Sequence, residues 1–267
     1  MTQLAVIGAG VMGEALVSGL LRAGWSNNAI VVADRRDFRR AEMIAAHGVR
    51  ATGNAEAAAE ADTVILVVKP QDVGAVLPEV ASVLRTGTLV VSLCAGVTTA
   101  QLESHLPEGT AVVRVMPNTP ALVGEGMAAV SAGSNASEAD VEHAMELMTA
   151  LGKAITVPET YQDAVTAISG SGPAYLFFVV EAMIDAGVLL GLPRDISSTL
   201  VQQTVFGSAK LLVESGQHPT VLREQVTSPG GTTAAALRQL EDHKVKAAFL
   251  TAMEAARDRS RALAGST

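Results

Sequence analysis

The chain has 267 residues, 49% apolar and 17% charged, with 19 Lys and Arg against 27 Asp and Glu for a formal charge of −8. That balance excludes a disordered chain, and a single cysteine, Cys94, excludes an internal disulfide and any cysteine-based zinc cluster. An acidic surplus with one Trp, two Tyr and five Phe also lacks the basic stripes and stacking platforms of a nucleic-acid binder.

The length suits one large or two modest domains, and a core of that size needs no staples. Residues 1–24 are apolar enough to imitate a signal peptide, but they lack a basic leading region and carry Glu14 in the apolar centre. The longest later apolar run, Ala174–Val180, stops at Glu181, far short of the roughly 20 residues that span a bilayer. A cytoplasmic location with no membrane attachment is the expectation.

In chain order, Leu4–Ile7 reads as a strand and Met12–Ala23 as a helix. Ile30–Ala33 is a second strand, followed by a polar helix over 39–47. Val64–Val68 and Leu89–Leu93 are continuous apolar runs, as expected of parallel strands covered on both faces, with a helix over Val73–Leu84 between them. Ala111–Val115 and Met127–Val130 read as further strands; Ser137 caps a helix ending near Gly152, and Ile155–Val157 closes the sheet. Such alternation implies an α/β fold, an N-terminal Rossmann-type doubly wound sheet with right-handed crossovers.

After Pro158 only helical patterns follow: Ala174–Gly187, Asp195–Glu214, Thr233–Leu240 and Val245–Leu263. The boundary falls at 158–163, giving a dinucleotide-binding domain over 1–160 and an all-helical domain over 161–267. Helix 195–214 is apolar around most of its circumference (Ile196, Leu200, Val201, Val205, Phe206, Leu211, Leu212) and must be buried. The helical segment is too small to bury it alone, so a partner subunit is expected.

Gly8, Gly10 and Gly13 in GAGVMG (8–13) follow the first strand and open the first helix. This is the arrangement in which glycines allow a tight turn, close approach of a pyrophosphate and close helix–sheet packing. A structural glycine turn is the plainer alternative. Asp34 ends the second strand, where an acid accepts hydrogen bonds from an adenosine ribose and favours NAD. Arg35 and Arg36 follow, and guanidinium groups there clamp a 2′-phosphate and favour NADP. The two signals conflict, because Asp34 repels a 2′-phosphate unless it turns away. Val67, Val68, Lys69 and Pro70, and later Cys94, Ala95 and Gly96, lie at strand carboxyl ends where ligands of such sheets bind. Asn54 opens a helix, either capping it or contacting adenosine.

In the helical half, Ile168–Tyr175 (ISGSGPAY) and Val226–Thr233 (VTSPGGTT) place small hydroxyl residues before helices, where free backbone N–H groups can cradle a carboxylate. A plain capping turn explains one such segment; two beside a dinucleotide turn suggest a substrate pocket.

Taken together, GAGVMG (8–13), VVKPQ (67–71), RVMPNTPALVGEGM (114–127), AVTAISGSGPAY (164–175), GLPR (191–194) and QVTSPGGTTAAALRQLE (225–241) resemble the pyrroline-5-carboxylate reductase family over essentially the whole chain. The resemblance implies an oxidoreductase of proline biosynthesis using NADP(H) or NAD(H). It also implies a helical domain that interlocks in a homodimer, with larger rings such as a decamer in some members. Cofactor contacts carried over by position fall on Ile7, Gly8, Ala9, Gly10, Val11 and Met12, on Asp34, Arg35 and Arg36, on Asn54, on Val67, Val68, Lys69 and Pro70, and on Cys94, Ala95 and Gly96. Gln225 matches a position that in some relatives reaches the neighbouring subunit's cofactor. The substrate site falls on Ser228, Thr232 and Thr233, with Glu159 on a poorly matching stretch. Thr233 sits nearest the ring nitrogen. Asp34 departs from the small polar residue of many NADPH-preferring members.

The reaction so implied moves a hydride from C4 of the nicotinamide to C5 of the cyclic imine. A protonated imine is already electrophilic, so orientation is the main demand. A β-hydroxyacid dehydrogenase shares the glycine-rich start but needs a catalytic Lys with an Asn downstream. Lys210, Lys244 and Lys246 have none near. A serine hydrolase lacks its G-x-S-x-G here. A cofactor-binding regulator without turnover leaves Ser228–Thr233 unexplained. The five histidines show no metal-ligand spacing.

Overall fold

The computed structural model describes residues 3–264. Its strands and helices alternate first: β1 (Leu4–Ile7), α1 (Val11–Arg22), β2 (Ile30–Ala33), α2 (Asp37–His47), β3 (Arg50–Thr52), α3 (Asn54–Glu60), β4 (Thr63–Leu66), α4 (Pro70–Ala81), β5 (Leu89–Ser92) and α5 (Thr99–Glu103). Next come β6 (Ala111–Met116), β7 (Gly126–Ala132), α6 (Glu138–Thr149), β8 (Gly152–Thr156) and the short α7 (Gln162–Val165). Helices alone follow: α8 (Gly172–Leu189), α9 (Arg194–Ser215), α10 (Pro219–Gln225), α11 (Thr232–Asp242) and α12 (Val245–Ala264).

The eight strands form one sheet in the order β3-β2-β1-β4-β5-β6-β7-β8, the doubly wound arrangement expected. Every residue of β1, β2, β4 and β5 is buried, because helices cover both faces and each face builds its own apolar cluster. One pair breaks the parallel run: β6 and β7 run antiparallel. Only a 3₁₀ turn, Thr119–Val123, joins them, and that connection is too short for a parallel crossover. Helix α4 begins at Pro70, earlier than the expected Val73, since proline suits a first helical position. The short elements β3, α5, α7 and α10, each seven residues or fewer, carry too little pattern to be legible in the sequence.

By its contacts the chain divides into two units: one ends at Ser171 and is rejoined from Ala255 onward, the other runs from Gly172 to Glu254. The expected boundary at 158–163 lies inside the first unit. Gln162 explains why: fully buried, it donates to the Ala129 carbonyl (3.2 Å) and to Ser131 Oγ (2.8 Å), tying the segment to β7. Asp163 then accepts from Ser260 Oγ at 2.7 Å, which returns the end of α12 to this unit.

Within the second unit, α8 packs on α9. Ser197 Oγ donates to the Ile184 carbonyl at 2.8 Å, and a Cβ on Gly187 would strike that serine. Val201 is the one apolar residue of this unit that is buried among the described residues. Phe178 is 72% exposed, Phe206 64% and Leu189 88%. The burial expected for the apolar circumference of α9 is therefore not supplied by its own chain.

Candidate functional site

A cleft of about 440 Å³ opens over the carboxyl ends of β1, β2 and β4. Gly8 turns the chain out of β1 at φ +112°, a conformation that L side chains rarely adopt, and a Cβ there would sit 2.5 Å from the Val67 carbonyl oxygen. Gly13 lets α1 lie against the turn, since a Cβ would overlap the Gly8 carbonyl. Gly10 is different. It has an ordinary φ of −71°, and a Cβ on it would meet no protein atom within 4 Å. Nothing inside the protein requires glycine there; the space it leaves belongs to the cleft. Gly10 is also the N-cap of α1, with no side chain capping the helix, so the first-turn amides and the positive end of the helix dipole point at whatever fills that space.

The peptide of Ala9 is held from both sides. Its N–H donates to Asp34 Oδ2 at 2.9 Å, and its carbonyl accepts from Arg39 Nε (2.9 Å) and Nη2 (2.7 Å). Arg39 is steadied by Glu14 at 2.8 Å, and this hydrogen bond holds the Glu14 carboxyl below its usual range. His47 Nε2 lies 3.4 Å from the same carboxylate. Arg39 is not among the residues that the sequence motifs single out. Its signal was the 39, 43, 47 spacing, which sets Arg39 and His47 on the helix face that buries Met43.

Asp34 is buried and does not turn away from the arginines. Oδ1 accepts from the backbone N–H and Nε of Arg36, and Oδ2 from Arg36 Nη2, each at 2.9 Å. Burial alone would raise its pKa, but the Arg36 and Ala9 hydrogen bonds outweigh it and bring the carboxyl down to about 2. The Arg36 guanidinium lies 5.6 Å from the Phe38 ring centroid. Arg35 is mostly exposed and makes a looser 3.4 Å contact with Asp72.

The cleft walls include Gly8, Gly10 and Val11, Asp34–Arg36, Asn54 and Val67–Lys69, as the sequence suggested. They also include Asp72, Ala75, Val76 and Glu79 of α4, which it did not. Asn54 does not cap its helix: Gly53 holds the N-cap position, and Asn54 Nδ2 donates to Glu79 Oε2 at 2.8 Å, fixing the cleft wall. Ile7 and Ala9 are buried beneath the turn, and Met12 lies in the first turn of α1. Pro70, Cys94, Ala95 and Gly96 lie outside the walls. Cys94 is packed, with Sγ 3.6 Å from the Leu66 carbonyl, and burial pushes its thiol pKa up.

The two small-residue segments of the helical half differ. Val226–Thr233 is a true helix start: Gly231 is the N-cap of α11 without a side-chain cap, and the Gly231 N–H closes a turn onto the Ser228 carbonyl at 3.0 Å. Ser228 and Thr232 are exposed there, and Thr233 is half-buried. Ile168–Tyr175 does lead into a helix, α8 at Gly172, with Pro173 in its first turn. It enters from a π turn over residues 166–170, in which the Ser171 N–H reaches the Thr166 carbonyl and is already used. Of its two glycines, Gly170 lies against the flexible end of Met116, 2.5 Å from where a Cβ would stand, and Gly172 faces open space. Asn118 fastens the segment, donating to the Ser169 carbonyl at 3.1 Å.

Glu159 is occupied within the first unit. Its oxygens accept from Thr99 N (2.8 Å), Thr99 Oγ1 (2.6 Å) and Arg114 Nη1 (3.1 Å), joining the start of α5 to β6. Gln225 ends α10 and donates to Gln217 Oε1 at 2.9 Å.

Comparison with known proteins agrees with this geometry. Residues 159–263 match the family model described as pyrroline-5-carboxylate reductase dimerisation, and residues 3–96 match NADP oxidoreductase, coenzyme F420-dependent. A pyrroline-5-carboxylate reductase from Corynebacterium melassecola is 45% identical over 98% of this chain and 99% of its own. The structure of a pyrroline-5-carboxylate reductase from Coxiella burnetii superposes with a TM-score of 0.92 at 37% identity, covering 98% of both chains. That of the Plasmodium falciparum enzyme, with NADP bound, gives 0.88 at 32% identity, again over 98% of both.

Proposed function

The chain belongs to the pyrroline-5-carboxylate reductase family and catalyses NAD(P)H-dependent reduction of Δ1-pyrroline-5-carboxylate to L-proline, and we propose how its residues divide that work. The observation that carries the cofactor assignment is Gly10, whose missing side chain leaves room that no protein atom claims. Gly8–Met12 hold the pyrophosphate with first-turn amides, the 34–36 corner takes the adenosine end and Val67–Lys69 line the same cleft, while Pro70 and Cys94–Gly96, outside its walls, are assigned to the cofactor from the family resemblance alone. Bound, the reduced nicotinamide supplies the hydride.

Ser228, Thr232 and the uncapped amides of α11 bind the substrate carboxylate. Thr233, the second residue of that helix, hydrogen-bonds the ring nitrogen and presents C5 for attack. No general acid–base pair is needed for hydride addition to a protonated imine, because orientation does most of the work. Gln225 is assigned, from the family resemblance, to the neighbouring subunit's cofactor. Glu159 is left out of the substrate set, since Thr99 and Arg114 already hold it.

A homodimer supports this chemistry. The helical run Glu159–Leu189 is long and apolar enough to cross a membrane, with a mean hydropathy of 1.5 and none of its apolar window buried in this chain. Glu181 and Asp185 interrupt it, and the matched model is a dimerisation model, which favours a second subunit over lipid and a cytoplasmic enzyme. The test is loss of reduced-nicotinamide absorbance with Δ1-pyrroline-5-carboxylate, with proline identified as product. No turnover from folded protein with either NADPH or NADH would overturn the assignment.

A further inference from the structure

An acid at the end of β2 ordinarily reads the ribose of NAD, and on that rule Asp34 selects NADH. The geometry points elsewhere. A carboxylate offers about four acceptor positions, and all of them are used here: by the Ala9 N–H, the Arg36 N–H, Arg36 Nε and Arg36 Nη2. A ribose hydroxyl would have to displace Arg36 to be read. Two of the guanidinium's five N–H groups face Asp34, which leaves three for an incoming anion. Its edge is fixed by the bidentate pair and its face by Phe38.

Charge gives a second reason. Asp34, Asp72 and Glu79 in the cleft wall are matched in number by Arg35, Arg36 and Lys69, so the wall's net charge alone does not select a phosphate. Discrimination then rests on which cation is already aimed. Arg35 is loosely held, whereas Arg36 is fixed in place before any ligand arrives.

We propose that Asp34 is a positioning residue for Arg36 and that the outward edge of Arg36, helped by Arg35, binds the 2′-phosphate of NADP(H), so the acid that resembles an NAD determinant selects the phosphorylated cofactor. This rests on reading the cleft as the nicotinamide-nucleotide site, and it reverses the sign of the usual mutation. Removing a ribose-reading acid weakens NADH and improves NADPH; removing a bracket weakens NADPH.

The test is calorimetric titration of the full chain with NADPH and with NADH, for wild type, Arg36→Gln, Asp34→Asn and the double variant. Wild type is expected to bind NADPH at least about tenfold more tightly, and Arg36→Gln to lose roughly tenfold or more of that ratio with NADH little changed. Asp34→Asn lowers the same ratio, and the double variant falls no further than Arg36→Gln. Because Asp34 also holds Ala9, its loss can loosen the turn, but that weakens both nucleotides together and leaves their ratio alone. A ratio that rises or stays constant in Asp34→Asn overturns the proposal, as does a wild type that prefers NADH. Wild type binding neither nucleotide overturns the cleft reading itself.

Discussion

The sheet unit and the helical unit handle apolar residues in opposite ways. From Leu4 to Leu151 the strands and their covering helices bury nearly every Val, Ile and Leu that points inward, in two clusters on either face of the sheet. From Gly172 to Glu254 the helices are as apolar, yet Phe177, Phe178, Leu200, Phe206 and Leu211 stand exposed and Val201 alone is buried among the described apolar residues. The first unit carries its own core. The second has the composition of a core without the layers to enclose it, which is the reason for proposing a second subunit.

The comparison breaks first at the exposed apolar face. Phe206→Asp is expected to abolish association and activity together, because it puts a charge where a subunit interface needs apolar area. Sedimentation velocity reads the first effect and steady-state turnover the second; an active, associated variant would place the interface elsewhere. Next is Thr233→Ala, expected to lower kcat by about 10²-fold with an unchanged circular dichroism spectrum, the size of losing one aimed hydrogen bond at the reacting centre. Wild-type kinetics would remove Thr233 from the mechanism.

The glycines of the first turn sharpen the contrast between packing and binding. Gly13→Ala is expected to destabilise the sheet unit by about 1–3 kcal/mol in overpacking, read as a lowered melting temperature without any ligand. Gly10→Ala is expected to leave that melting temperature within a degree or two, because the added methyl meets open space, while weakening the nucleotide by about tenfold or more. Equal behaviour of the two variants would mean that Gly10 serves the fold. Smallest is Glu159→Gln. Loosening its contacts to Thr99 and Arg114 is expected to cost about 0.5–1.5 kcal/mol, a few degrees of melting temperature at most, with the substrate KM nearly constant. A large rise in KM instead would return Glu159 to the substrate.

Much of the fold was legible because its signals are local. Continuous apolar runs marked the covered strands, and a glycine turn between strand and helix marked the cleft. The β6–β7 reversal was hidden, since it depends on a connection too short for a crossover rather than on any strand residue. The change to helical patterning at Pro158 falls where the matched dimerisation model begins, at residue 159, whereas the division by contacts comes later, at Ser171, because Gln162 and Asp163 are held to the sheet unit. ISGSGPAY does precede a helix, α8, but the π turn before it, set by backbone hydrogen bonding rather than composition, was not legible. The Asp34–Arg36 pair was within reach, since opposite charges separated by a single residue can bind each other directly, as these do. Reading them as rival cofactor signals overlooked that they bind each other.

The most direct measurement is sedimentation equilibrium of the intact chain, with turnover assayed across the same dilution series. A dimer or larger assembly is expected, with specific activity falling as it dissociates. A fully active monomer, with its helical face still uncovered, would contradict the claim that the second unit is completed by another copy.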